Sequence, residues 1–319
     1  MAALTPSTPL ASSAQPAGQR LLEALMGRLG RRFVIGVPML FLLMIFALPF
    51  LVVFKISVSE MDGVRFIDLV SLQDGLLQIK LKFSNYRTIF LEDDLYLRAY
   101  TSSIWFAALT TVICLVIGYP FAYFLARSRP DIRPGLLMLL MLPFWTSFLL
   151  RVYAWKMLLA DNGVFNNIAI ALGLLSDPLK MMNTPFSLTL GMVYTYLPFM
   201  VLPLYANLVK LDIRLLEAAR DLGATPWQAF WRITVPLSRS GIIAGALLVF
   251  IPCVGEFVIP ELLGGPETLM IGRVLWDEFF SNNDWPMASS VAVVMVLLII
   301  VPLALFNKYQ AESTAGGRA

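Results

Sequence analysis

Long apolar runs separated by short polar stretches dominate the chain. A bilayer core about 30 Å thick needs about 20 apolar residues per helix to cross it. Six stretches meet that length, at about 33–54, 103–125, 136–159, 186–209, 241–259 and 285–306. The runs are continuous rather than alternating, so the pattern predicts helices and not the in-and-out strands of a barrel. The third run is the least uniform, with Arg151 and Lys156 in its second half, and the fifth carries Glu256. Prolines punctuate all six: Pro38 and Pro49, Pro120, Pro143, Pro198 and Pro203, Pro252, and Pro302. In a membrane bundle, neighbouring helices satisfy the carbonyls that a proline frees, and the kinks either line cavities or serve packing alone.

Composition narrows the picture to an all-α integral membrane protein. Of the 319 residues 58% are hydrophobic and only 14% charged, against about 25% charged in a soluble domain. The mean hydropathy is +0.76. The net charge of +3 gives nucleic acid no electrostatic footprint, so the bilayer is the expected partner and nucleic acid is not. There is no His, and Cys114 and Cys253 both fall in apolar runs. A zinc site, a His-based triad and a disulfide framework are thereby excluded, and no catalytic, metal or cofactor-binding residue is expected on this chain.

Lys and Arg counts set the expected orientation. Fourteen of these residues lie on the side shared by the N-terminus, the loops after the second and fourth spans, and the C-terminus. Eight lie on the other side, despite its longer loops. Both termini are therefore expected in the cytoplasm. Residues 1–30 read as a disordered N-terminal tail, 31–308 as the transmembrane domain and 309–319 as a second tail. The first apolar run starts late and is too long for a signal peptide, so it is expected to remain in the mature protein. The external segments carry fourteen acidic residues, which form either a mouth that attracts cations or an ordinary solvated face.

The loop at 210–240 has the most specific pattern. Glu217, Ala218, Ala219, Arg220, Asp221, Leu222 and Gly223 are followed, nine residues on, by Ile233, Thr234, Val235 and Pro236. The spacing predicts a short helix with a narrow apolar stripe (Leu211, Leu215, Ala218/Ala219, Leu222), a break at Gly223, and a second helix begun by Pro226. A short amphipathic helix with small residues can dock in a partner's groove.

This pattern resembles the signature loop of permease subunits of binding-protein-dependent ABC importers, with Val235 where that signature has Leu. The resemblance covers roughly residues 30–308. The runs Leu142 to Trp155, Tyr196 to Pro203, and Val254 to Pro266, with Met270 to Arg273 behind, are similar to polyamine permeases, nearest to those of putrescine importers. It implies a six-helix type I permease fold in the bacterial inner membrane. Glu217, Ala218, Ala219, Asp221, Gly223, Ile233 and Pro236 would form a coupling helix and its support on a separate ATPase. The implied partners are an ATPase pair, a second permease paralogue and a periplasmic polyamine-binding protein. No G-x-x-x-x-G-K-[ST] motif occurs, so ATP and Mg would belong to the ATPase. A gradient-driven carrier is the other transport reading; it would need ion-coupling sites within this chain.

An ionisable group inside the membrane is a functional candidate because it is costly to place there. Glu256 can meet a substrate ammonium, or pair with Arg151 or Lys156. Glu261, in the loop beyond, can face incoming substrate. Trp145, Tyr153 and Tyr196 can attract a diammonium through their rings, or serve as belt and packing residues.

Overall fold

The computed structural model describes residues 17–62, 65–66, 70–73, 76–79 and 82–316. The chain divides into two units, 1–55 and 56–319. The first unit is helix α1, which runs over Ala17–Ser57 and ends at the start of the second unit. Its part from Phe33 to Ser57 has a mean hydropathy of 2.8. The N-terminal tail was expected to be disordered through residue 30. Residues 1–16 lie outside the described residues, but from Ala17 onward the chain is helical. Leu21, Leu22, Glu23, Ala24, Leu25 and Met26 are all strong helix formers, and they outweigh the glycines around them.

The second unit opens with two small antiparallel hairpins. β1 (Met61–Asp62) pairs with β2 (Arg65–Phe66), and β3 (Val70–Gln73) pairs with β4 (Leu76–Ile79), Val70 opposite Ile79. Helix α2 (Ser84–Arg87) continues as one π turn to Glu92. The long helix α3 (Asp94–Arg127) follows, its first amides capped by Asp93. After it come α4 (Arg133–Met141), α5 (Phe148–Leu159), α6 (Val164–Ala171) and α7 (Pro185–Leu208). The informative loop holds α8 (Arg214–Asp221) and α9 (Pro226–Ala229) and leads through a π turn, Phe230–Thr234, into α10 (Val235–Val254). Short helices α11 (Val258–Leu263) and α12 (Ile271–Trp276) precede the last, α13 (Trp285–Gly316).

The core of this unit is the contact of α3, α7 and α10. α10 turns a row of small residues inward: Ser238, Gly241, Gly245, Val249 and Cys253 are all buried, mostly four apart. That stripe allows close backbone approach, the usual device of helix packing in lipid. At Gly245 a β-carbon would stand 2.8 Å from Met200 Sδ and 3.1 Å from the Met200 carbonyl oxygen. Met192, Met200 and Leu204 of α7 and Leu125 of α3 are fully enclosed beside it. A second buried cluster joins Tyr96, Ala99 and Tyr100 of α3 to Ile271, Val274, Met287 and Val291. Tyr100 donates to the Val291 carbonyl at 2.7 Å, and the Ile271 amide donates to Ser103 at 2.7 Å.

Among the described residues, five helices are long and apolar enough to cross a membrane, and six if one bent pair counts as one span. The bent pair corrects the expected third span. Residues 136–159 are not one helix: α4 tightens into a 3-10 turn at Leu142–Trp145, and the chain turns by 84° before α5. Pro143 removes a backbone donor and crowds the preceding turn. Thr146 then closes on the Pro143 carbonyl through both its amide, at 3.3 Å, and its hydroxyl, at 2.7 Å. The expected fifth span, 241–259, also shifts, because the helical run starts at Pro226 and stops at Val254. The last helix runs on to Gly316 through most of the expected C-terminal tail.

Candidate functional site

The two groups of candidate residues lie at opposite ends of α10. At its N-terminal end, α8 is held by few but definite contacts. Asp212 accepts from the Arg214 amide at 3.0 Å and starts the helix. Gly223, with φ +83°, ends it. There the Gly223 amide reaches the Arg220 carbonyl and the Ala224 amide reaches the Ala219 carbonyl, both at 2.9 Å. This is a Schellman ending, which needs a residue that tolerates the left-handed backbone. Thr225 and Gln228 then cap each other's backbone amides, with Pro226 in the first turn of α9.

The face that α8 turns inward differs from the expected stripe. Leu216 and Ala219 are buried against Ala229, with Leu211, Ala224 and Ile233 packed around them. Leu215, Ala218 and Leu222 point outward, Leu222 with 89% of its surface exposed. Leu216 and Ala219 are three apart, one helical step on the same side, whereas Leu215 and Leu222 lie at the flank of that side, turned toward solvent. The outward face therefore combines Glu217, Ala218, Asp221 and Leu222. Gly223 is exposed beside them, and Pro236 is exposed in the first turn of α10.

Ile233 links this platform to the span. It sits in the π turn that also carries Phe230, whose ring meets Tyr119 of α3 edge-on at 5.5 Å and Tyr123 at 6.1 Å. Tyr119 hydrogen-bonds Ser238 of α10 at 2.7 Å. The base of the loop is thus fastened to both α3 and α10 by aromatic packing and one buried polar contact.

At the other end, Glu256 is not inside a helix. It lies in the break between α10 and α11, half-buried, with both carboxylate oxygens engaged. One oxygen accepts the hydroxyl of buried Tyr196, and the other accepts the amides of Val258 at 3.1 Å and Ile259 at 3.4 Å. The carboxylate therefore starts α11 and ties it to α7. Charge-assisted bonds of this kind are the strong ones, and a carboxylate at a helix N-terminus also meets the favourable end of the dipole.

Among the described residues, no ion pair joins Glu256 to Arg151 or Lys156. Arg151 instead lies over the rings of Phe144, at 5.0 Å, and Phe148, at 5.9 Å. Phe144 meets Phe199 edge-on at 5.4 Å, and Phe199 lies 6.1 Å from Tyr196. A row of rings thus leads from Arg151 toward the Tyr196–Glu256 pair. Trp145 and Tyr153 are exposed. Glu261 is placed elsewhere too, 2.8 Å from Nε of Arg273 on α12. That pairing was not foreseen; the two residues are twelve apart in sequence, and only the turn through Gly264 and Gly265 brings them together. Nor was the helix-starting role of Glu256, since Ser, Thr, Asp and Asn are the residues that usually announce one.

With this geometry in view, comparison with known proteins defines the class. The family described as binding-protein-dependent transport system inner membrane component matches residues 115–314, and the chain belongs to it. It is a multi-pass membrane protein with the type I ABC importer permease fold. It is 38% identical over 282 residues to the spermidine/putrescine transport system permease protein PotB of Haemophilus influenzae, across 88% of this chain and 94% of that one. It is 42% identical over 234 residues to PotB of Escherichia coli (strain K12), across 73% of this chain and 85% of that one. Its fold is similar to a chain of a bacterial ABC transporter involved in the import of the acidic polysaccharide alginate. There the TM-score is 0.65 at 16% identity, over 92% of this chain and 99% of that one. A chain of the MetNI methionine ABC transporter matches with TM-score 0.51 at 16% identity, over 67% of this chain and 94% of that one.

Proposed function

We propose that this chain is the permease subunit of an ATP-driven importer that carries a polyamine, putrescine ahead of spermidine, into the cytoplasm. The observation that carries the reading is the outward face of α8, where Glu217 and Asp221 are exposed while Leu216 and Ala219 anchor the helix to the base of α10. A short helix so mounted presents a free surface to a partner and transmits its displacement to a span. The polyamine assignment is supported by the two permease relatives, both described as spermidine/putrescine permeases.

In this reading the exposed face of α8 seats on one subunit of an ATPase pair, which binds ATP and Mg and does the hydrolysis. A second, paralogous permease supplies the other half of the passage. A periplasmic polyamine-binding protein delivers substrate to the acidic external segments; one structural relative is described in complex with a pentasaccharide-bound periplasmic protein. Both termini face the cytoplasm, in keeping with the excess of Lys and Arg on their side. Transport proceeds by alternating access: closure of the ATPases moves α8, and α10 follows.

Glu256 and Tyr196 are the pathway residues that geometry favours. An ammonium arriving at Glu256 would take the place of the Tyr196 hydroxyl on the carboxylate, with the ring remaining beside it for a cation–π contact. Trp145, Tyr153 and Glu261 are exposed, and Glu261 is paired with Arg273.

The test is uptake of labelled putrescine and spermidine into proteoliposomes holding the co-expressed complex, with Glu217→Ala beside wild type. Uptake that needs ATP and the binding protein, and collapses in Glu217→Ala, is the expected result. Uptake by this chain alone, driven by an ion gradient and indifferent to Glu217, would overturn the reading in favour of a secondary carrier.

A further inference from the structure

Beside the base of the loop lies an apolar slot of about 430 Å³ that the proposed transport cycle does not use. Its walls are Leu115, Val116, Tyr119 and Pro120 of α3, together with Trp227, Phe230, Trp231, Val235 and Ile242 from the segment that leads into α10. Val116 and both indoles are more than half exposed, so the slot opens outward. It lies along two membrane-spanning helices, where an unfilled apolar opening of this size would meet lipid chains and not water.

The rim of the slot has a different chemistry. Phe230 in its wall touches Tyr123 edge-on, and the guanidinium of Arg127 lies over Tyr123, 5.4 Å from the ring centre. Nη2 of Arg127 is enclosed without a hydrogen-bond acceptor, so the side chain carries an unmet donor in this position. Its basic neighbours in the turn after α3 and at the start of α4 are engaged: Arg129 pairs with Asp131 at 3.0 Å, and Arg133 donates to the Ser128 carbonyl at 2.7 Å. Exposed Arg232 follows directly on Trp231. Two indoles at an apolar opening, with arginines just beyond, form the arrangement that suits the boundary between acyl chains and headgroups.

We infer that this slot is a seat for one anionic phospholipid of the bilayer, an acyl chain lying between α3 and the Trp227–Ile242 segment and the phosphate meeting Arg127 and Arg232. The seat is independent of the transport reading, because it needs only the bundle and its basic rim. Its place gives it a use within that reading: a lipid there would brace the π turn that joins α8 to α10.

The experiment is native mass spectrometry of the intact, delipidated complex titrated with phosphatidylglycerol or phosphatidylcholine of identical chains. Wild type is expected to hold one phosphatidylglycerol at least tenfold more tightly than phosphatidylcholine. Val116→Trp, which fills the slot, should lose the bound lipid. Arg127→Gln should keep a lipid but lose the preference for the anionic headgroup. Val112→Trp, an exposed position one turn along α3 and outside the slot, should behave as wild type. Equal binding of the two lipids by wild type would overturn the inference. So would undiminished binding by Val116→Trp, an unchanged headgroup preference in Arg127→Gln, or a complex that takes up no lipid because a neighbouring subunit fills the slot. None of these readouts depends on uptake, so a failure of the seat and a failure of the transport reading are separable.

Discussion

The two ends of α10 are built on opposite principles. At the N-terminal end two carboxylates are left to solvent: Glu217 and Asp221 stand exposed, while Leu216 and Ala219 pack α8 against Ala229 and Ile233. At the C-terminal end the polar group is consumed: Glu256 accepts three hydrogen bonds from one buried tyrosine and two amides. A free carboxylate at a surface contributes little to the fold and is available to a partner. A carboxylate bound on both oxygens contributes to the fold, and a ligand that binds it competes with the donors already there. The first end is therefore suited to permanent docking and the second to reversible exchange.

That contrast can be broken experimentally, beginning with the largest expected effect. Replacing Glu217 by Ala should weaken retention of the ATPase on purification by about 30-fold, the scale of a single interface hot spot of about 2 kcal/mol. The melting temperature of the isolated permease should not move; a large drop would mean that Glu217 is structural and would remove the distinction between the two ends.

At the other end the order is reversed, with stability responding first. Glu256→Ala should lower stability by about 1.5–3 kcal/mol, since it strands a buried hydroxyl and two amides, read as a fall in melting temperature in nanodiscs. Glu256→Gln should recover most of that stability yet raise the KM for polyamine uptake about tenfold, the effect of removing a charge that meets an ammonium. A Gln variant with wild-type uptake would leave Glu256 as a helix starter only.

A smaller effect is expected at Gly223. Gly223→Ala places a side chain at φ +83°, costing about 1 kcal/mol. The space around it is open, so the loss comes from the backbone alone, and an Asn there should recover part of it. Uptake should fall about fivefold if α8 needs its Schellman ending to hold its angle. The smallest effect belongs to Glu261→Gln. Its pair with Arg273 is half exposed, and pairs of that kind contribute about 0–1 kcal/mol. Uptake within about twofold of wild type is expected.

Much of this architecture was legible in the sequence, for reasons that differ by region. The spans show because lipid demands uninterrupted apolar length, and the helix ending at Gly223 shows because few residues other than glycine accept its backbone. The third span misled because its composition is apolar throughout, while its shape depends on how Pro143 and Thr146 close one turn. The inward face of α8 was misassigned because, over eight residues, two leucine-bearing sides are almost equally apolar, and only the partner surface of Ala229 and Ile233 decides between them. The hairpins between Met61 and Ile79 were missed because strands of two and four residues carry too little alternation to register. Tyr196 and Glu256 were each legible as candidates, but they are sixty residues apart, and their meeting is a product of packing between α7 and α10.

The unbroken helical run from Pro226 to Val254 makes the membrane core a matter of leverage. Its 29 residues form a rod about 43 Å long. A tilt of about 5° about one end of such a rod would carry the other through roughly 4 Å, more than the length of a hydrogen bond. A small push beneath the loop is then enough, by geometry alone, to part a hydroxyl from a carboxylate on the far side of the membrane. The π turn at Phe230–Thr234 is where that rod can give, and its stiffness sets how much of the push arrives.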